Sequence, residues 1–135
     1  PVLIGRGSDI GPNCYIRSCT SIGEEVRIGN ACEVKNSIIM DGTHVPHQND
    51  VGDSILGERC NLGAGTKIAN LRNDRKPVHA CGRDTGRLKF GAIVGDGVSF
   101  GINCSVNAGT VVGSNCSFAP QSYIHGCIRE GTEMR

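Results

Sequence analysis

The sequence predicts an all-β fold, a parallel β-helix wound from hexapeptide repeats, on three observations. Aliphatic anchors recur every sixth residue, small or branched residues stand two places before them, and glycine follows many of them. The anchors run Ile4, Ile10, Ile16, Ile22, Ile28 and Val34, then Val45 and Val51, then Leu56, Leu62 and Ile68. They resume at Val94, Phe100, Val106, Val112, Phe118 and Ile124. The steps from Val34 to Ile39 and from Val51 to Leu56 are one residue short. This period matches neither α-helical nor coiled-coil spacing, and the frequent Gly and Pro would break a helix.

Each hexapeptide reads as one short strand and one corner. Alternate residues of a strand share a face, so Cys14, Thr20, Val26, Cys32, Cys60, Thr66, Val98, Cys104, Thr110, Cys116 and Ser122 are expected to point inward with the anchors. Glycine after the anchor, as at Gly5, Gly23, Gly57 and Gly63, is expected to let the backbone turn. Three hexapeptides make a triangular coil of about 18 residues, and about six coils stack at roughly 4.8 Å.

The totals agree with a single domain, 1–135, whose core is aliphatic: there are 20 Gly, three Phe, two Tyr and no Trp. A net charge of +1 gives no nucleic-acid footprint and no polybasic membrane contact. No apolar run approaches the ~20 residues of a membrane span, and no signal peptide is evident. A start at Pro1, without Met, points to a piece of a longer protein. The eight cysteines contain no Cys-x-x-Cys pair, and most follow the inward row. They are expected to be reduced thiols in a cytoplasmic protein. Cys14 and Cys32 stack one coil apart and are expected to stay unbonded, while Cys19, Cys81 and Cys127 fall outside the row with no evident role. The histidines at 44, 47, 79 and 125 form no local pair, so no metal site is expected.

Three breaks in the pattern mark candidate functional positions. The segment of about 71–89 has no repeat and carries six Arg and Lys against Asp74 and Asp84, which suits an anionic ligand or else a solvated flap. At the third corner of successive coils, Arg17 and Lys35 occupy equivalent places. Two stacked cations either flank an anion such as a phosphate or point apart into solvent. Finally, Pro46-His47-Gln48-Asn49-Asp50 replaces the usual glycine and sets His47 at an outer corner, where an imidazole can serve as a general base. His44 is the rival histidine nearby.

The stretches Val45–Ser54, Asn61–Thr66 and Ala69–Asp74 resemble the acetyltransferase domain of bifunctional sugar-1-phosphate nucleotidylyltransferase/acetyltransferases, which include the N-acetylglucosamine-1-phosphate uridylyltransferase family. The runs Asp84–Asp96 and Gly101–Ser105 resemble its archaeal branch in particular, and the likeness covers nearly the whole chain. The resemblance implies a left-handed winding and a homotrimer with its site between neighbours. It implies His47 as the catalytic base, Arg17 and Lys35 on the sugar phosphate, and Asn61 and Asn70 on the amino sugar, with Lys76 near the site. Acetyl-CoA would lie near Ala64, Gly101, Ile102 and Ala119, and no metal is needed.

Two positions depart from the family pattern: Asp50, a substrate-side position where many relatives carry Tyr, and Leu71, where bacterial relatives carry Tyr. The reaction implied is acetyl transfer to the amine of glucosamine 1-phosphate or galactosamine 1-phosphate. Two alternatives stay open. One is a trimerising or regulatory β-helix of a glucose-1-phosphate thymidylyl- or uridylyltransferase, the other acyl transfer to a different amine or hydroxyl, such as a sugar nucleotide. The Gly-rich motif and Lys of the nucleotidylyltransferase are not in this sequence.

Overall fold

The computed structural model describes residues 1–135, and it contains strands, turns and no helix. Three parallel sheets form the faces of a prism. The first sheet has seven strands, from Val2–Ile4 to Cys127–Ile128; the second has seven, from Asp9–Ile10 to Glu133–Met134; the third has six, from Tyr15–Ile16 to Tyr123–Ile124. The chain is a left-handed β-helix of about seven turns, one more than expected from sequence. The additional coil was hidden because Ile128 follows Ile124 by four residues rather than six, yet it still pairs with Val112. Met134 likewise pairs with Phe118.

Register explains the core. Anchors stack on anchors, as in Ile22 on Ile39, Leu56 on Val94 and Phe100 on Phe118. The two phenyl rings lie stacked 5.2 Å apart. Twenty-two buried apolar residues form one continuous cluster along the prism axis. Most inward hydroxyls bind backbone, Thr20 excepted: Thr43 Oγ1 donates to the carbonyl of Gly57 at 2.6 Å and accepts from the Cys60 N–H at 3.0 Å. At the third corner, Ser37 Oγ accepts from Ser54 N, and Ser54 Oγ accepts from Ala92 N. This hydroxyl ladder lies where the coils are one residue short.

The glycines after the anchors have a different purpose from the one expected. Among them only Gly11 has positive φ. A Cβ on Gly63 would lie 2.5 Å from the carbonyl carbon of Gly101, so these glycines are required for close approach of one coil to the next. The left-handed turn residue comes two places later and is often not glycine, as at Glu25, Gln48 and Arg59.

The interruption leaves the prism at the third corner, as the sequence indicated. Phe90 N donates to Asn70 O at 3.0 Å and Gly91 N to Asp53 O at 2.8 Å, which closes its base. Within it, His79–Ala80 and Arg83–Asp84 form an antiparallel hairpin, and Val78 is fully buried beneath. The expectation that every cysteine is a free thiol is overturned here. Cys81, at the hairpin turn, is disulfide-bonded to the outward-facing Cys127, with Cα atoms 5.4 Å apart. Their separation of 46 residues gave no local spacing signal. The other six cysteines are free, Cys14 and Cys32 among them. Burial pushes the Cys32, Cys60 and Cys104 thiols up, which makes them unreactive packing groups.

Candidate active site

The second corner carries His47. Its backbone is held by Asn49, an inward residue only 2% exposed. The Asn49 side chain accepts from the His47 N–H at 3.0 Å and donates to the carbonyls of Gly63 and Thr66 at 2.9 and 3.2 Å. The imidazole is exposed and makes no hydrogen bond within the chain, so it is free to meet a ligand. An amide in an otherwise apolar or hydroxyl-bearing inward row was the sequence signal for Asn49, and it was overlooked.

Below His47 the same corner repeats through successive coils. Gly65 N donates to His47 O, Asn103 N to Ala64 O, and Gln121 N to Ile102 O. His47, Ala64 and Ile102 therefore form one column, with Gly101 and Ala119 on the same corner. Gly101 permits the close approach of Pro120, whose N would lie 2.5 Å from a Cβ there. The N–H groups of Ala64 and Ile102 donate to nothing within the chain. Two amides without a partner in the chain thus lie on the edge that bears the histidine.

The third corner carries Arg17, Lys35 and Asn70, across the narrow third sheet from His47. Gly52 lies five positions after His47, no more than about 17 Å of extended chain. The two cations are not left facing each other. Arg17 Nη1 lies 3.1 Å from Glu33 Oε2, and Lys35 Nζ lies 2.9 Å from Asp53 Oδ2. Asp53 also accepts from Asn36 Nδ2 at 2.8 Å and from Asn70 Nδ2 at 2.7 Å. Burial works against its charge, but the bonds from Asn36, Lys35 and Asn70 outweigh that and hold its carboxyl below the usual range. Gly52 leaves the space in which Asn70 and Lys35 meet this carboxylate, since a Cβ there would lie 3.0 Å from Asn70 Nδ2.

Asp50 stands on the outer face of the third sheet between the two corners, in register with Glu33 and Lys67. Partial burial and the Glu33 charge raise its carboxyl above the ordinary value, against the pull of Lys67, Lys35 and Arg17. Two expected positions are not brought to this face. Asn61 is exposed on the second sheet beside His44. Lys76 is exposed on the loop, where its N–H binds Asp74. No three of His, Cys, Asp and Glu are grouped to hold a metal ion.

These features define a hexapeptide-repeat β-helix with a histidine on one edge and, on the next, two cations and an amide paired with carboxylates. Residues 1–86 match the model of the GMPPB C-terminal domain, and the chain belongs to that family. It is 46% identical over 125 residues to a protein of Methanocaldococcus jannaschii named bifunctional protein GlmU, which covers 90% of this chain and 31% of that protein. It is 44% identical over 125 residues to a bifunctional sugar-1-phosphate nucleotidylyltransferase/acetyltransferase of Sulfurisphaera tokodaii, with coverage of 90% and 31%. The chain thus spans about a third of the length of these curated relatives.

Among solved structures, the acetyltransferase domain of PglB from Neisseria gonorrhoeae FA1090 superposes with a TM-score of 0.74 at 18% identity, over 98% of this chain and 53% of that one. AntD, an N-acyltransferase from Bacillus cereus in complex with dTDP-4-amino-4,6-dideoxyglucose and coenzyme A, gives 0.74 at 16% identity, over 94% and 75%. At these identities the likeness is one of fold.

Proposed function

We propose that this chain is an acetyl-CoA-dependent N-acetyltransferase acting on a hexosamine 1-phosphate, as the C-terminal part of a sugar-1-phosphate nucleotidylyltransferase. The observation that carries the reading is the pairing of two neighbouring edges. One bears His47 above unpartnered amides; the other bears Arg17, Lys35 and Asn70. A hexosamine 1-phosphate laid across the third sheet would set its phosphate at Arg17 and Lys35 and its amine at His47. Binding at both ends orients the nucleophile, which is where much of the rate enhancement would arise. The names of the relatives support the same chemistry.

In this mechanism the His47 imidazole removes a proton from the acceptor's amine as the nitrogen attacks the thioester carbonyl. The tetrahedral oxyanion would accept a hydrogen bond from the free N–H of Ala64, adjacent to His47 in the column. Collapse breaks the C–S bond, and the leaving thiolate takes the proton from the imidazolium. Acetyl-CoA would run down the corner past Ala64, Gly101, Ile102 and Ala119. Asn61 and Lys76, remote from this face within one chain, would act on a neighbour's site in a homotrimer. Six free cysteines fit a cytoplasmic setting, with Cys81–Cys127 the exception.

A second reading, a β-helix that only assembles a longer enzyme, is favoured by one feature. Both cations are already paired with carboxylates, and Asp50 adds another negative charge where a phosphate would lie. Thiol release from acetyl-CoA with glucosamine 1-phosphate or galactosamine 1-phosphate decides between them. Turnover is expected in the unaltered protein, falling by about 100-fold or more in His47→Ala. A folded protein with no release from either sugar would sink the enzymatic reading and leave the structural one.

A further inference from the structure

Within the site just proposed, one carboxylate has three side-chain partners and no assigned part. Asp53 is the residue after Gly52 at the third corner, with φ of 51° and a side chain only 7% exposed. Its backbone N–H donates to Lys35 O at 2.9 Å, and its carbonyl accepts from Gly91 N at 2.8 Å. Its carboxylate takes Asn36 Nδ2 on one oxygen, and Lys35 Nζ and Asn70 Nδ2 on the other. Three successive coils therefore converge on one carboxylate, through backbone and side chain alike.

We infer that Asp53 is the positioning residue for the acceptor subsite, holding the Lys35 ammonium and the Asn70 amide in fixed orientation towards the bound sugar phosphate. This role rests on the acetyltransferase reading above and deepens it. An ammonium has three N–H donors, and one spent on Asp53 leaves two for a phosphate while fixing where they point. The amide is oriented more strictly. With Nδ2 given to Asp53, Asn70 keeps Oδ1, which has no partner in the chain, as an acceptor suited to a sugar hydroxyl or an amine N–H and unsuited to a phosphate. One carboxylate thus sorts the two neighbours into a cation for the phosphate and an acceptor for the sugar. A carboxylate that only neutralised a lysine would not require the two amides.

The test is Asp53→Asn, which keeps the shape but removes the charge and sets an NH₂ group against either Asn36 Nδ2 or the Lys35 and Asn70 donors. Calorimetric binding of glucosamine 1-phosphate and steady-state kinetics are measured on it and on the unaltered protein, with thermal unfolding alongside. The acceptor KM and Kd are expected to rise about tenfold or more, as for loss of a charged hydrogen bond. The acetyl-CoA KM and the kcat at saturating acceptor are expected to stay within about twofold. Asn36→Gly serves as a second variant, because it removes one partner at a positive φ that glycine accepts, and the lost side chain bonds to neither the Lys35 ammonium nor the Asn70 amide. A smaller rise confined to the acceptor is expected there. Unchanged acceptor KM in both variants overturns the role, as does a uniform loss of kcat and both KM values that follows lowered stability. If the unaltered protein binds no hexosamine 1-phosphate, the functional reading fails and this role with it.

Discussion

Asp50 shows how one side chain changes the electrostatics of the face between the two corners. It stands in register between Glu33 and Lys67, with Arg17 and Lys35 also close enough to act on it. Its folded-state pKa lies above the ordinary carboxylate value, so the native state holds the proton more tightly than the unfolded chain does. Stability must then fall as pH rises from about 4 through the raised pKa, and the penalty remains at neutrality. Asp50→Asn is accordingly expected to raise the unfolding temperature at pH 7 and to change nothing below about pH 3, where both side chains are neutral. It is also expected to lower the acceptor KM, since a phosphate no longer meets that charge. A variant less stable at pH 7 would show that Asp50 is held by its cations instead, and one equally stabilised in acid would show that its charge is not the cause.

At the scale of the element, the 71–89 loop is fastened in three places: its base at Asn70 and Asp53, Val78 in the interior, and the disulfide at its hairpin turn. Gly109 makes the second of these possible, because a Cβ there would meet the carbonyl of His79. The hairpin forms one wall of a cavity of about 870 Å³ whose other side includes Asn107, Tyr123 and His125. Removing the disulfide with Cys81→Ser and Cys127→Ser should free the turn without unwinding the coils, whose strands pair independently of it. Trypsin is expected to cut faster within 71–89 in this variant, at unchanged strand content by circular dichroism. Equal cutting rates would mean that Val78 and the base alone fix the loop.

The elements also show what was legible beforehand. The inward row, the anchors and the site of the interruption follow from period-two alternation and the six-residue step, and both survive the loop because Ile68 stacks on Val106. His47, Arg17 and Lys35 stood out because they broke that rhythm. Asp53 did not, since it fits its place by size and acts through hydrogen bonds to coils remote in sequence; the inward amide of Asn49 did break the row, but its partners also lie on another coil. The Cys81–Cys127 bond and the four-residue step to Ile128 were hidden for the same reason: both depend on stacking rather than on neighbours along the chain.

On the scale of the whole molecule, the three outer faces differ. The second presents Asp9, Arg27, His44, Asn61, Ser99 and Ser117; the third presents Glu33, Asp50 and Lys67 between tyrosines. The first presents Leu3, Ile38, Ile55, Ile93 and Val111 in one row, interrupted only by Ser21. Leu3, Ile38 and Ile93 are 69%, 45% and 38% exposed. An apolar stripe on one face of three is suited to a contact, and neighbouring prisms of the proposed homotrimer would cover it. The stripe borders the proposed site, because Ile38, Ile55 and Ile93 line a cavity of about 300 Å³ together with Asn36, Asp53 and Arg87. Assembly and activity should therefore be lost together. Ile38→Asp with Ile93→Arg is expected to reduce the mass by sedimentation from three chains to one, with the coil spectrum retained. Acetyl transfer is expected to fall with the trimer fraction and to recover as protein concentration restores it. A pair variant that keeps the parent's mass would exclude the first sheet as the contact, and a fully active monomer would show that one chain holds the whole site.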